Sequence, residues 1–253
     1  MKRLLLTALL MFLYVGVFGQ NNTLFEKATE AYNNGEFQKA IELYEKILEN
    51  NQHSAALYFN LGNAFYKKNE IGPSIYYYEK ALLLSPNDDE IKNNLGYAQN
   101  MRLDAIEEMP QTAFAKFYDT TIALLTFEQW AYLAIAMTMA FVIAYIAYYS
   151  LLGATQKRIS FILSIIAIVI CIASIAFAYL QFERFQQDNP AIVFSREIAV
   201  TSEPNKRSER IFTLHEGTKV NVLETLDDWQ KIKIADGQTG WMPSENLKLL
   251  KKF

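Results

Sequence analysis

The chain has 253 residues, 51% of them hydrophobic and 20% charged, and its 24 basic and 27 acidic side chains leave a net charge of −3. That length allows one or two small domains, and the charge balance excludes a nucleic-acid partner held by a globally basic surface. The single cysteine, Cys171, excludes an intramolecular disulfide framework and any multi-cysteine zinc site, and two histidines, His53 and His215, give no metal-ligand cluster.

Charges are absent from three stretches, Leu4 to Phe25, Gln129 to Gln156 and Ile159 to Phe182, so a purely soluble protein is excluded as well. At the start, Met1-Lys2-Arg3 is basic, Leu4 to Phe18 is apolar, and Val17-Phe18-Gly19 offers a small-residue cleavage site. This pattern predicts a signal peptide over residues 1–19. An uncleaved anchor is the alternative, although the run is shorter than the ~20 apolar residues that a span prefers. On either reading the segment that follows is exported.

Residues 20–108 repeat themselves. An offset of 34 aligns Gly35 with Asn69, Phe37 with Ile71, Ala40 with Ser74, Ile41 with Ile75, Tyr44 with Tyr78, Glu45-Lys46 with Glu79-Lys80, and Leu48 with Leu82. Phe37, Ala40, Ile41, Tyr44 and Leu48 form one helical stripe, which recurs at Ile71, Ile75, Tyr78 and Leu82, and each helix pair can bury its stripe only against a neighbour. Ala28, Gly62 and Ala81 leave room for close helix crossings, and Pro86 stops a helix. The copies are 21–54, 55–88 and a partial third, 89–103, which starts at Asn94-Leu95-Gly96 without a second helix. Tyr44 and Tyr78 are expected to be buried equivalently, with Leu95 packed on the second copy.

Through Asn60-Leu61-Gly62, Phe65, Ile71, Tyr78, Ala81-Leu82 and Pro86 the segment resembles the tetratricopeptide repeat family. The resemblance implies a solenoid whose concave face comes from the first helix of each pair. Here that face would comprise Phe25, Thr29, Tyr32, Phe59, Asn63, Tyr66, Glu90, Asn93 and Tyr97, an aromatic and amide surface suited to an extended or helical peptide. Family members that grip a C-terminal carboxylate need cationic or amide groups where Phe25, Thr29 and Glu90 stand. The nine basic and fourteen acidic residues from Gln20 to Tyr118 leave −5, which also argues against an acidic ligand.

Residues 109–129 read as a juxtamembrane linker or as an interfacial helix, with Phe114, Phe117, Tyr118, Ile122, Leu124 and Leu125 supplying the apolar side chains. Two transmembrane helices are then predicted, 130–152 and 159–180. The second reaches about 33 Å, enough for a hydrocarbon core of ~30 Å. Trp130, Tyr132, Tyr148, Tyr149 and Tyr179 stand where aromatic rings meet headgroups. The loop 153–158 carries Lys157 and Arg158 and no acid, which places it in the cytoplasm and both flanks outside. Neither span contains an ionisable group beyond Cys171 and tyrosine, against a proton relay or ion pathway. Small residues, Ala136, Ala140, Ala144 and Ala147 in one span and Ser164, Ala167, Cys171, Ser174 and Ala178 in the other, predict a seam along Ala140, Ala144, Cys171 and Ser174.

From 190 to 253 the period becomes two. Strands are predicted at Ile198–Thr201, Ile211–Leu214, Val220–Thr225, Gln230–Ile234 and Thr239–Met242, the last pair joined at Asp236-Gly237. Gly217-Thr218-Lys219-Val220, Asp228-Trp229, Lys233-Ile234, Gly240-Trp241, Pro243 and Leu247 make this segment resemble the bacterial SH3-like family, which implies a small barrel binding peptide or cell wall. Trp229 and Trp241 would either form an exposed aromatic groove or be buried in the barrel.

The expected fold is therefore multidomain: an all-α tetratricopeptide repeat solenoid, a two-helix transmembrane hairpin and a C-terminal all-β SH3-like barrel. That order resembles the BatE-like family of the Bacteroides aerotolerance (Bat) operon. The resemblance implies an inner-membrane scaffold with its repeat and SH3-like domains in the periplasm. Its partners would be the lipid bilayer and Bat proteins with von Willebrand factor A domains, acting with a MoxR-type ATPase. Peptidoglycan is the alternative partner. No cofactor, metal, nucleic acid or catalytic cluster is implied: Cys171 lies in apolar surroundings that leave a thiol inert, and Asp227-Asp228 and Glu107-Glu108 read as solvated turns.

Overall fold

The computed structural model describes residues 23–107, 109–110 and 112–252; the signal expected over 1–19 lies outside them. The chain divides into two units, one drawn from the described residues of Met1–Glu108 and Asn189–Phe253, the other from those of Met109–Asp188.

The first unit begins with helices α1 (23–33), α2 (Phe37–Glu49), α3 (Ala55–Lys67), α4 (Ile71–Leu84) and α5 (Asp89–Gln99). Local chemistry sets their ends. Ser54 caps α3 by accepting from the Leu57 amide, and Asp88 caps α5 by accepting from the amides of Glu90 and Ile91. Gly35 and Asn69, one repeat apart, both turn the chain with positive φ, +79° and +61°, a conformation that glycine and asparagine tolerate best. Two clusters fill the helical core. Ala28, Ala40, Ile41, Tyr44, Leu57, Leu61 and Phe65 join α1, α2 and α3, and Ile71, Ile75, Tyr78, Ala81, Ile91 and Leu95 join α4 and α5. Tyr44 and Tyr78 are each 1% exposed, and Leu95 packs in the second cluster, as the repeat predicts. The third copy consists of α5 alone; Asn100–Glu107 continue without a helix.

Seven strands complete this unit: β1 (Pro190–Val193), β2 (Glu197–Thr201), β3 (Arg210–His215), β4 (Lys219–Leu226), β5 (Trp229–Lys233), β6 (Thr239–Pro243) and β7 (Leu247–Leu249). They form one antiparallel sheet in the order β3-β2-β6-β5-β4-β1-β7. Leu214 of β3 and Leu247 of β7, at opposite edges of that order, share one core with Val193, Val220, Ile232 and Met242, so the sheet curls around it. The five strands expected from the period-two pattern are present as β2 to β6. β1 and β7 were not anticipated.

The helices and the sheet are packed together. Ile192 and Leu250, both 0% exposed, belong to the same cluster as Ile71, Ile75 and Leu95. Ile106, from the segment after α5, packs in turn on the core of the sheet.

In the second unit, α6 (Ala113–Thr121) and a 3-10 turn (Ile122–Leu124) precede α7 (Phe127–Ser150) and α8 (Ala154–Gln187). α7 starts in a reciprocal capping box between Thr126 and Gln129. Both long helices are apolar and long enough to cross a membrane. α7 starts three residues before the predicted span 130–152 and ends two short of it, and α8 exceeds the predicted 159–180 at both ends. The break between them is confined to residues 151–153, so Lys157 and Arg158, expected in a loop 153–158, lie in the opening turns of α8.

The helices of this pair meet with Trp130 on Phe177, Thr138 on Cys171 and Tyr148 on Phe161. In that antiparallel register Ser174 lies opposite the region of Ala134, and Ala140 opposite that of Ala167. The buried residues are Ala134, Ser160, Ser164, Ala167 and Ser174, while Ala136 is exposed. Of the seam expected along Ala140, Ala144, Cys171 and Ser174, Cys171 and Ser174 lie at the contact, but Ala140 and Ser174 do not face each other. Small residues every three or four positions mark a face, but not its axial register against the partner.

Candidate functional site

Offset 34 is also visible in the hydrogen bonds on the face of α1, α3 and α5. In the first copy the Tyr44 hydroxyl lies 3.0 Å from Thr29 Oγ1, and in the second the Tyr78 hydroxyl donates to Asn63 Oδ1 at 2.6 Å. Asn63 Oδ1 also accepts from Asn94 Nδ2 at 3.1 Å, which ties α3, α4 and α5 at one point. The Asn63 carbonyl is thereby engaged internally, and its Nδ2 donors remain for other acceptors.

Above this junction lies a cleft of about 220 Å³ lined by Tyr32, Asn63, Tyr66, Lys67, Tyr78, Asn94 and Tyr97. Four of the nine residues expected on the concave face meet here: Tyr32, Asn63, Tyr66 and Tyr97. Tyr97 is 63% exposed, and Tyr66 is half-buried. Burial raises the pKa of Tyr78, whose hydroxyl stays protonated and able to donate at neutral pH.

The other five are not part of this cleft. Phe59 is half-buried and packs its ring 5.9 Å from that of Tyr78, which makes it support beneath the surface. Phe25 packs edge-on against Tyr44, and Thr29 is bonded to the Phe25 carbonyl at 2.9 Å; both line a separate recess of about 450 Å³ with Glu26, Glu30, Asn33 and Asn34. Glu90 and Asn93 are exposed on α5 outside both. Lys67 and Asn94 were missed by the sequence reading. The offset of 34 between Asn60 and Asn94 was the available signal for the latter.

The opposite side of α4 is covered by the β module. Lys219 Nζ reaches Glu79 Oε2 at 2.7 Å, and Lys80 Nζ donates to the Lys252 carbonyl at 2.7 Å. Lys80 lies over the rings of Tyr58 and Tyr76, 4.8 and 5.5 Å from their centroids, and burial lowers its pKa to about 8. Tyr76 meets Phe194 edge-on at 5.4 Å. Gly217, with φ +83°, lies so close to Ile75 Cδ1 that an added Cβ would stand 2.9 Å from it.

Within the β module, Trp241 is 8% exposed, flanked across the sheet by Thr201 and Lys231, whose Nζ lies 6.0 Å from the ring centroid. Trp229 is half-buried on β5. An exposed groove of both tryptophans is therefore not formed. Among the described residues no group of three His, Cys, Asp or Glu side chains could hold a metal.

Residues 25–90 match the family described as tetratricopeptide repeat, and residues 198–248 match the bacterial SH3 domain family. Compared with curated proteins, the chain finds no match. The two families are interaction modules and support a scaffold or binding role. β1, Phe194 and the chain after Lys248, which supply much of the contact with α4, lie outside the matched SH3 span.

Proposed function

We propose that this protein is a non-enzymatic, membrane-anchored scaffold that recruits protein partners on the exported, periplasmic side. The observation that carries this reading is the cleft of Tyr32, Asn63, Tyr66 and Tyr97, which combines the exposed ring of Tyr97 and the half-buried rings of Tyr32 and Tyr66 with amide donors. An extended peptide fits it: rings take apolar side chains, and Asn63 and Lys67 offer donors to backbone carbonyls. On this reading the repeats form a short solenoid, 20–108, whose convex side is closed by the SH3-like domain.

Membrane attachment through α7 and α8 agrees with the packing of the first unit. Residues up to 107 and from 189 onward belong to one unit, so a chain that leaves it to enter a bilayer has to return to the same side, and two spans do so. The basic pair Lys157 and Arg158 favours a cytoplasmic turn and an exported unit. The order of modules supports membership of a Bat/MoxR-type stress-tolerance or envelope-assembly complex.

The SH3-like domain favours a second contact, with peptidoglycan. The exposed Leu226, paired with Trp229 at the β4–β5 hairpin, and the exposed Leu223 on the same strand would meet it.

The test is a pull-down from detergent-solubilised membranes with wild type and a Tyr66→Ala/Tyr97→Ala variant. Loss of specific protein partners with an unchanged melting temperature supports the cleft. Identical partner sets overturn it.

A further inference from the structure

The second unit carries an apolar surface that its own helices leave open. Along α6, Phe114, Phe117 and Thr121 share one stripe, and the exposed Lys116 faces away from it. Phe114 is 65% exposed and Phe117 47%, and Leu124 in the following turn is 64% exposed. Exposed large apolar groups on a short helix are costly in water unless something covers them.

The neighbouring edge of the same segment is fastened. Tyr118 is 8% exposed and lies under the Arg184 guanidinium, 4.3 Å from the ring centroid, while Arg184 Nη1 stands 3.7 Å from Asp119 Oδ1. Trp130 Nε1 donates to the Ile122 carbonyl at 2.8 Å. Gln181 Nε2 donates to the same carbonyl at 3.3 Å and to that of Leu125 at 2.7 Å. Trp130 belongs to the start of α7, and Gln181 and Arg184 to the end of α8, so both long helices hold this segment at their common end.

That end also bounds the apolar band of the pair, where Tyr132, Ile135 and Tyr179 are all exposed. The open face of α6 thus stands at the end of a helix pair whose surface suits lipid. We propose that residues 112–125 form an interfacial foot, in which Phe114, Phe117 and Leu124 enter the headgroup–acyl boundary of the bilayer, with Arg184, Gln181 and Trp130 as the clamp that fixes its depth. This inference rests on the reading of α7 and α8 as spans. The clamp keeps the helix at one level and directs its aromatic stripe, where an unfastened linker would carry it freely.

The full chain, with Cys171→Ser, is placed in lipid nanodiscs with one environment-sensitive fluorophore at Phe117→Cys, Lys116→Cys or Ile168→Cys. Nitroxide lipids labelled near the headgroup or deep in the chain act as quenchers. A blue-shifted label at 117 quenched by the shallow nitroxide, a label at 168 quenched by the deep one and a water-exposed label at 116 are expected. A water-exposed label at 117 beside a quenched label at 168 overturns the foot, and water-exposed labels at both overturn the span reading beneath it. Arg184→Gln should weaken quenching at 117 and leave 168 unchanged. Unaltered quenching at 117 overturns the clamp.

Discussion

Asp104 and His215, 111 residues apart in the chain, are joined twice: the His215 amide donates to Asp104 Oδ2 at 2.7 Å, and His215 Nδ1 lies 2.6 Å from Oδ1. Thr218 Oγ1 adds a third donor to Oδ2 at 2.6 Å. An ionised carboxylate only accepts, so Nδ1 carries the proton in this arrangement. Asp104 thus fastens the chain leaving the repeats to the β3–β4 turn.

The clasp gives an acid dependence. Burial alone would raise the pKa of Asp104, but the hydrogen bonds from Thr218 and His215 and the attraction of His215 outweigh it and hold the carboxyl below its ordinary value. A carboxyl depressed in the folded state stabilises fully above its unfolded pKa, and that contribution is lost as pH falls through the folded value. Asp104→Asn should lower stability near neutrality by about 1.5–3 kcal/mol and flatten the decline below about pH 4, as read by thermal unfolding of wild type and variant across pH.

Gly62 and Gly96 occupy the same repeat position but face different surroundings. A Cβ at Gly62 would stand 2.6 Å from ring atoms of Tyr78, whereas at Gly96 nothing lies within 4 Å. Gly62→Ala should destabilise by about 1–3 kcal/mol through overpacking. Gly96→Ala should stabilise by about 0.5–1 kcal/mol through helix propensity. Chemical denaturation of the two variants checks the pair of signs.

The register of the long helices can be read with the native thiol. Cys171 Sγ lies 3.3 Å from Thr138 Oγ1, so Thr138→Cys should form a disulfide with Cys171 in oxidised membranes. Cysteines at Ala140 and Ser174, in a Cys171→Ser background, should not cross-link with each other. Proteolysis between the helices followed by non-reducing electrophoresis distinguishes the two outcomes.

Local patterns carried the repeats, the apolar helices and five strands, because each is a periodic signal over adjacent residues. The docking of the two modules has no such signal. Glu79-Lys80 and Glu45-Lys46 are identical pairs at equivalent positions, yet Glu79 and Lys80 are 7% and 5% exposed, because the β module covers that face of the second copy. Asp104 with His215, and Tyr76 with Leu249, likewise pair across long stretches of chain that no repeat spacing relates. The family position named four residues that line the cleft, Tyr32, Asn63, Tyr66 and Tyr97, but could not separate Phe59, which packs under Tyr78, from Tyr66, which lines the opening. For Trp241, exposure in a groove and burial both stayed open, because nothing in the local sequence shows that Lys231 and Thr201 flank it.

The cleft as a partner site is tested most directly in living cells by a photo-crosslinking residue placed at Tyr66, at Tyr97 or at the exposed Glu42 on α2. Adducts with a defined envelope protein from positions 66 and 97, and none from 42, are the expected result. Adducts that are equal from all three positions, or absent from 66 and 97, would contradict the scaffold account at its center.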